Sequence, residues 1–348
     1  MAWRTWRMVA ILVGTLGLAS TAEAQLEVAA TLSVLAPPVE RIPAGASAAE
    51  PGVSGMNLAD GDRIKTGAGG IALITFLNGS TVTVLPSSEV TVKQTSSERA
   101  TSGMRLFIHA GRVWARVVQA AGSRSALTLE SNDYSATARD GLIGAELRAE
   151  GFVCWTRRGL MTITNSAGQS EAVLMAGQRA WARRGWPVTP EPFVAGASTI
   201  EIEASGPVLP LLQMPDGRVA AGFLAEDVEV NQVFGSLTAS RGGQRWVVEV
   251  PGGAAGAYTL ILTGTGAGPF TARVSARYAG FRVYRQELTG EIRPGERLVT
   301  RITPRVKGDD PQTARVVGAS VDGLRAWDGD EPAAVVAVPA AGRVPGMN

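Results

Sequence analysis

The stretch RVWARV at residues 112–117 alternates arginine or tryptophan with small apolar side chains. Successive side chains of a β-strand point to opposite faces, so this period of two separates the two kinds of residue. The same alternation recurs at Trp155 and Arg157, and again from Arg179 to Arg183. The sequence therefore predicts strands that bury a small apolar face and present arginine and tryptophan on the other.

Comparable short runs of valine, threonine, isoleucine and leucine recur along the chain, separated by glycine, proline, asparagine or aspartate. The chain holds 42 glycines among 348 residues, and no long segment after the N-terminus has helical periodicity. Asn78-Gly79 lies between two such runs and is a strong hairpin signal, although a loop longer than two residues also fits. These features predict an all-β fold.

The spacing of the runs divides the chain into two β domains. Residues 26–185 hold regularly spaced strands and predict a β-roll or solenoid-like domain. The proline-rich residues 186–198 predict a linker, and residues 199–305, with about seven strands, predict a β-sandwich. Residues 306–348 predict a low-complexity tail, with residual order at 313–317 and around Trp327.

Two local expectations concern the first domain. Residues 36–59 are rich in proline, alanine and glycine and predict a loop. Gly111 predicts a turn between one strand over residues 104–108 and another over residues 112–118.

The N-terminus has the features of an export signal. Arg4 and Arg7 precede an apolar stretch, and ASTAEA at residues 19–24 suits signal peptidase, so the mature chain is expected to begin at Gln25. The apolar stretch is shorter than the roughly 20 residues that span a bilayer. We therefore expect residues 1–24 to be removed, no stable membrane span to remain, and the protein to be periplasmic or secreted.

Composition and motifs argue against enzyme chemistry. A formal net charge of +2 and export both argue against a nucleic-acid partner. His109 is the only histidine and Cys154 the only cysteine, which excludes the usual zinc sites and any intramolecular disulfide. A structural histidine at a strand end and a buried inert thiol are the favoured interpretations.

No nucleophile elbow or phosphate-binding glycine loop occurs, so we predict a non-enzymatic protein without cofactor or metal. A hydrolase built on a converging carboxylate pair stays open as an alternative. Asp60 with Asp62, and the acidic group at 328–331, lack the spacing of an EF-hand and predict solvated turns.

Four blocks of the first domain are GDRIKTG at 61–67, FLNGS at 76–80, IHAGRVWARV at 108–117, and residues 138–147 with AGQ at 176–178. Through these blocks and their order, residues 61–185 resemble the FecR-type domain of bacterial extracytoplasmic signalling proteins. One departure is GAEL at residues 144–147, where the family usually shows Gly-Thr before an aromatic residue. Residues 206–304 resemble the small accessory β-sandwiches of exported bacterial proteins.

The resemblance implies sensing or binding outside the cytoplasm. Signalling members carry an anti-sigma segment and a membrane helix ahead of this domain, whereas a leader, one strand and a loop precede it here. We therefore expect closer likeness to stand-alone exported FecR-domain proteins that bind a cell-envelope polysaccharide or an envelope protein. The alternative is a sensor or regulatory component that acts through a separate membrane signalling protein.

The candidate binding residues lie on the arginine and tryptophan face of the predicted strands. Indoles stack on sugar rings, and guanidinium groups bind carboxylates or phosphates of a cell-wall polymer. In the alternative, which is favoured, arginine side chains cover the indoles as cation–π pairs that only stabilise the sheet. The ligand-binding hypothesis names Arg112, Trp114, Arg116, Trp155, Arg157, Trp181 and Arg183.

Overall fold

The computed structural model describes residues 28–94, 103–119, 125–310 and 313–327. The regular elements in these ranges are all β-strands, which confirms the all-β prediction. The predicted leader, the acidic group at 328–331 and the end of the predicted tail lie outside the described residues. Within the described part, no helix has the length and apolar character of a membrane-spanning segment.

The first domain is built from two sheets that share one long strand. Sheet A contains, in spatial order, β4 (Met56–Ala59), β1 (Val28–Ala36), β6 (Ile71–Phe76), β7 (Thr81–Val84), β9 (Gly103–Val117), β12 (Gly141–Arg148), β13 (Gly151–Gly159), β16 (Gln178–Ala182) and β17 (Glu191–Pro192). Sheet B contains β3 (Glu50–Pro51), β2 (Val39–Ile42), β5 (Arg63–Thr66), β8 (Glu89–Gln94), β9, β10 (Ala126–Glu130), β11 (Tyr134–Ala138), β14 (Met161–Asn165) and β15 (Ser170–Leu174). The chain crosses repeatedly between the sheets, as in a β-roll.

The apolar faces of sheets A and B meet in one core. Val113 and Ala115 of β9 reach this core from sheet A, and Leu106 and Leu129 reach it from sheet B, all four fully buried. Burial of each large aliphatic side chain contributes about 1.5–3 kcal/mol. The predicted alternation along residues 112–117 is therefore the alternation between this core and the opposite face of sheet A.

The strand β9 is continuous, so the turn predicted at Gly111 is instead a kink. Residues 103–110 pair with β8 and β10 in sheet B, and residues 111–117 pair with β7 and β12 in sheet A. Gly111 lies at the junction with φ of 80°. Glycine adopts this backbone conformation at little cost, which lets one strand pass from one sheet to the other.

The loop predicted over residues 36–59 is also different in the structure. It contains β2, β3 and β4, which have two to four residues each and pair within sheets A and B. Strands this short show too little alternation to be recognised from sequence. Their backbone groups are held by the sheets that they join.

The second domain is a sandwich of two antiparallel sheets. Sheet C contains β22 (Leu237–Ser240), β23 (Arg245–Pro251), β18 (Ser198–Ser205), β25 (Gly268–Tyr278) and β26 (Phe281–Ile292). Sheet D contains β21 (Val228–Asn231), β20 (Ala220–Ala225), β19 (Val208–Gln213), β24 (Tyr258–Gly264), β27 (Arg297–Lys307) and β28 (Arg315–Val321), with β29 (Arg325–Ala326) also beside β27. Buried aliphatic residues such as Ile202, Leu260 and Val274 fill the space between the sheets.

The sandwich continues past residue 305, where the sequence predicted its end. β28 lies in the predicted tail and pairs antiparallel with β27. The Ser198 hydroxyl donates a hydrogen bond to the carbonyl of Ala314 and accepts one from the amide of Val316. These bonds join β18 of one sheet to the start of β28 in the other.

We expect Gly111→Ala to lower the free energy of unfolding by more than about 2 kcal/mol, because alanine at positive φ is strained and its Cβ needs space. That Cβ would lie 2.3 Å from the Ser88 hydroxyl oxygen. Gly79→Ala is the matched control, because Gly79 has φ of 84° but nothing within 4 Å of the added Cβ. Denaturant unfolding of both variants measures the difference, and equal losses would contradict the close approach of Ser88.

Candidate functional site

The predicted site residues lie on the face of sheet A that is turned away from the core. Trp114 of β9 and Trp155 of β13 lie on either side of Gly144 in β12, in register with it. A Cβ on Gly144 would lie 2.7 Å from Cε3 of the Trp114 ring. Glycine at this position therefore leaves room for an indole that lies across the neighbouring strand.

Phe234 of the second domain contacts both indoles. Its ring centroid is 5.3 Å from that of Trp114 and 5.2 Å from that of Trp155, both in edge-to-face geometry. Phe193, from the predicted linker, lies 6.1 Å from Trp155 and 6.2 Å from Phe234. Trp114 is 0% exposed and Trp155 4% exposed. We call Trp114, Trp155, Phe193 and Phe234 the aromatic cluster, which is the interior of an interdomain interface.

Arginines of the first domain surround the aromatic cluster and pair with the second domain. Arg116 and Arg158 contact Glu229 at 3.3 Å and 2.8 Å. Arg157 contacts Glu249 at 2.6 Å. Partly buried pairs of this kind contribute to specificity, and removal of one partner is costly because the other charge stays buried.

The environment of Glu229 shifts its titration. Burial by itself raises the pKa of this carboxyl, but hydrogen bonds and charges from Arg158 and Arg116 outweigh burial, so the pKa of Glu229 is lowered. The folded protein therefore holds Glu229 in its charged form. This carboxylate joins two strands of the first domain to β21 of the second.

The remaining predicted residues differ in exposure. Arg112 stacks on the Phe234 ring, with its guanidinium carbon 4.7 Å from the centroid. Trp181 is half-buried, Arg148 and Arg183 stack over its ring at 5.2 Å and 4.7 Å, and Arg183 is exposed. We call Trp181, Arg148 and Arg183 the Trp181 patch.

The exposed ladder that the sequence predicted is therefore mostly covered. The predicted residues do lie on one face of sheet A. Most of that face is covered by the second domain rather than exposed to solvent. The five predicted residues that contact the second domain are Arg112, Trp114, Arg116, Trp155 and Arg157.

A cleft of about 500 Å³ opens beside the aromatic cluster, with walls from both domains. Arg112 and Glu146 of the first domain line it, and Met214 and Phe234 line it from the second. The ion pair between Arg112 and Glu146 is 3.3 Å long. Sequence reasoning missed Glu146 and Phe234, because only the docking of the domains brings these distant segments together. The available signal was the spacing of two between Glu146 and Arg148, which places Glu146 on the same face of its strand as Arg148.

The single histidine and the single cysteine occupy structural positions. Nε2 of His109 is 2.7 Å from the Thr91 hydroxyl, and its ring packs on Phe107 at 4.8 Å. Burial, and then the charge of Arg63, lowers the pKa of His109. Cys154 is fully buried in the core, and burial raises the pKa of its thiol, which disfavours the reactive thiolate.

Asp62, expected in a solvated turn, is buried instead. Its carboxylate accepts hydrogen bonds from the Arg41 side chain and from the amides of Ala44 and Ala59. These donors satisfy the hydrogen-bonding capacity of the carboxylate, and they connect the β4–β5 turn to β2. Across the described ranges, no group of three histidine, cysteine or acidic residues is placed to hold a metal ion.

Comparison with known proteins places a FecR domain in this chain. The family described as FecR protein matches residues 62–159, from the β4–β5 turn to the end of β13. No curated protein matches the chain. The first domain therefore contains a FecR domain, and the match ends before the second domain begins.

Two crystal structures of a "putative anti-sigma factor" from Parabacteroides distasonis ATCC 8503 resemble part of the fold. Each shares 10% sequence identity with this chain at a TM-score of 0.31. Each match covers 37% of this chain and 59% of the other, which is less than two thirds of the length of that protein.

We expect Phe234→Ala to lower the free energy of unfolding by about 1–3 kcal/mol, because it removes the ring that contacts two buried indoles, although Phe234 itself is half-buried. Tryptophan fluorescence should shift to longer wavelength as Trp114 and Trp155 gain contact with water. Phe281→Ala is the control, since Phe281 is 77% exposed, and we expect a change below about 0.5 kcal/mol. Similar stability losses in the two variants would exclude Phe234 as the main interdomain contact.

We expect Glu229→Gln to lower the free energy of unfolding at neutral pH. We also expect the free energy of unfolding to change less with pH in the acid range. Because the folded pKa of Glu229 is lowered from 4.5, its contribution is present above the unfolded pKa and is lost as pH falls through the folded pKa. Denaturant unfolding from neutral pH into the acid range measures this. The control is Glu226→Gln, an exposed neighbour. An unchanged acid slope in Glu229→Gln, relative to the unaltered protein, would contradict the assignment.

Proposed function

We propose that this protein is an exported, non-enzymatic binding or scaffolding protein that recognises a cell-envelope ligand or protein partner. In this proposal the FecR domain and the β-sandwich act as one body, joined through the aromatic cluster. The observation that carries the proposal is the Trp181 patch, the accessible part of the predicted binding face. It presents an indole with two guanidinium groups stacked on it.

The chemistry of the Trp181 patch suits an anionic carbohydrate polymer. Arg148 is held by its ion pair with Glu146, at 2.7 Å, as well as by the indole. Arg183 is exposed, and among the described residues it makes no ion pair. Arg183 is therefore available to a carboxylate or phosphate. A sugar ring would stack on the part of the indole that Arg183 uncovers when it turns to bind that anion.

The non-enzymatic part of the proposal is supported by the state of the candidate catalytic groups. Cys154 is buried, and His109 is engaged with Thr91 and does not line the cleft. Glu146 is the single carboxylate among the residues that line the cleft. A hydrolase with a carboxylate pair would need a second one there.

The FecR domain at residues 62–159 favours a second candidate function. In it, the same two-domain body is a periplasmic sensor or regulatory component that acts through a separate membrane signalling protein. The Trp181 patch would then contact protein rather than polysaccharide.

We expect Trp181→Ala and Arg183→Gln to reduce retention on purified bacterial cell-wall polymer by about two- to tenfold each, through lost stacking and lost charge pairing. Cosedimentation at fixed salt concentration measures retention.

Trp327→Ala is the matched control, because Trp327 is also stacked by an arginine, with Arg297 at 4.6 Å, but lies in the second domain. It should be retained like the unaltered protein. Unchanged retention of Trp181→Ala, with an unchanged melting temperature, would remove the Trp181 patch as the polymer site.

A further inference from the structure

Arg112 has hydrogen-bonding capacity that the protein does not use. Its contact with Glu146, at 3.3 Å, is longer than the roughly 2.7–2.9 Å usual for charged pairs. Among the described residues, its Nε is buried without a hydrogen-bond partner. The Phe234 ring supports one face of the guanidinium and holds it at the wall of the cleft.

The charge of Arg112 is only partly compensated. Glu146 is shared, since one of its oxygens contacts Arg112 and the other contacts Arg148. Arg148 also interacts with the charge of Glu150, whereas among the described residues Arg112 has no ion pair besides the long one with Glu146. Because Arg112 lies at a partly buried wall, where screening is weaker than in water, its charge favours a further anion.

Apart from Ser87, the side chains that line the rest of the cleft are apolar. Met214, Val233 and Phe234 line it from the second domain, and Leu85 and Pro86 from the first. Its volume of about 500 Å³ is large enough for a small organic molecule. A bare inorganic ion would leave these apolar walls in contact with water, so the site fits an anion that carries an apolar body.

We propose that this cleft binds a carboxylate joined to a small apolar group. The carboxylate accepts hydrogen bonds from Arg112 and competes with Glu146 for it, while the apolar group packs against Met214 and Phe234. A peptide C-terminus with an apolar last residue and a short branched fatty acid both have this chemistry. This site goes beyond the polymer-binding proposal; no residue of the Trp181 patch lines the cleft, although Glu146 also pairs with Arg148 of that patch.

The test compares ligands that differ in one group. N-acetyl-L-leucine, N-acetyl-L-leucinamide and 4-methylpentanoate are titrated at neutral pH by calorimetry, with thermal unfolding in parallel. N-acetyl-L-leucine should bind at least about tenfold more tightly than its amide, because only the acid offers a charged acceptor to Arg112. Stronger binding of N-acetyl-L-leucine than of 4-methylpentanoate identifies a peptide end as the source, and the reverse order identifies a fatty acid. Equal affinities for the acid and the amide, or no binding of either acid at millimolar concentration, would overturn the proposal.

Two variants give opposite expected changes. Arg112→Gln should abolish the preference for acid over amide. Glu146→Gln should strengthen binding of the acid several-fold, because it releases Arg112 from its protein partner. A general loss of structure would not strengthen binding, so Glu146→Gln keeps the test decisive even where Arg112→Gln lowers stability.

The control is Glu203→Gln, which releases Arg273 from an ion pair of 2.9 Å on sheet C, away from the cleft. It should leave affinity for N-acetyl-L-leucine unchanged. Weaker binding in Glu146→Gln would overturn the proposal. Trp181→Ala should bind N-acetyl-L-leucine normally, so failure of the cleft site and failure of the polymer-binding proposal are distinguishable.

Discussion

The contact of Phe234 with Trp114 and Trp155 determines how the two domains are arranged. Edge-to-face geometry gives aromatic pairs an attraction beyond simple burial and also limits their relative orientation. Trp114 reaches this position because Gly144 leaves space beneath its ring. The buried N–H of Trp114 has no hydrogen-bond partner among the described residues. Aromatic packing must therefore offset the desolvation of that group as well as hold the domains together.

The surrounding ion pairs specify the arrangement that the aromatic contact stabilises. Two arginines from separate strands of sheet A converge on Glu229, so a small rotation of the second domain would lengthen one pair or the other. Arg158 also donates to the Thr238 carbonyl, which adds a directional contact. In any other arrangement of the two domains, at least one of these partly buried charges would lose its partner. The cost of an unpaired buried charge is larger than the gain from the pair, so the ion pairs act mainly by disfavouring other arrangements.

The sequence predicted the faces of the strands but not what covers them. A period of two is a local property, so residues 112–117 were sufficient to place Val113 on one face of the sheet and Trp114 on the other. Whether the second face meets water, ligand or protein depends on Phe234 and Glu229, more than a hundred residues away, and no local pattern marks those two. Gly111 was recognisable from the sequence as an interruption between two strand-forming segments. Only the pairing partners on both sides of it distinguish a kink from a turn.

The cleft follows from the same docking geometry. The two domains meet through the aromatic cluster, and the cleft lies beside it with Arg112 in its wall. One side of its guanidinium is occupied by Phe234, while its N–H groups are only partly used by Glu146. Separation of the domains would remove Phe234 from both Arg112 and the cleft wall. Ligand binding there and docking of the domains are therefore thermodynamically linked, because a ligand that requires both walls stabilises the docked arrangement in proportion to its occupancy.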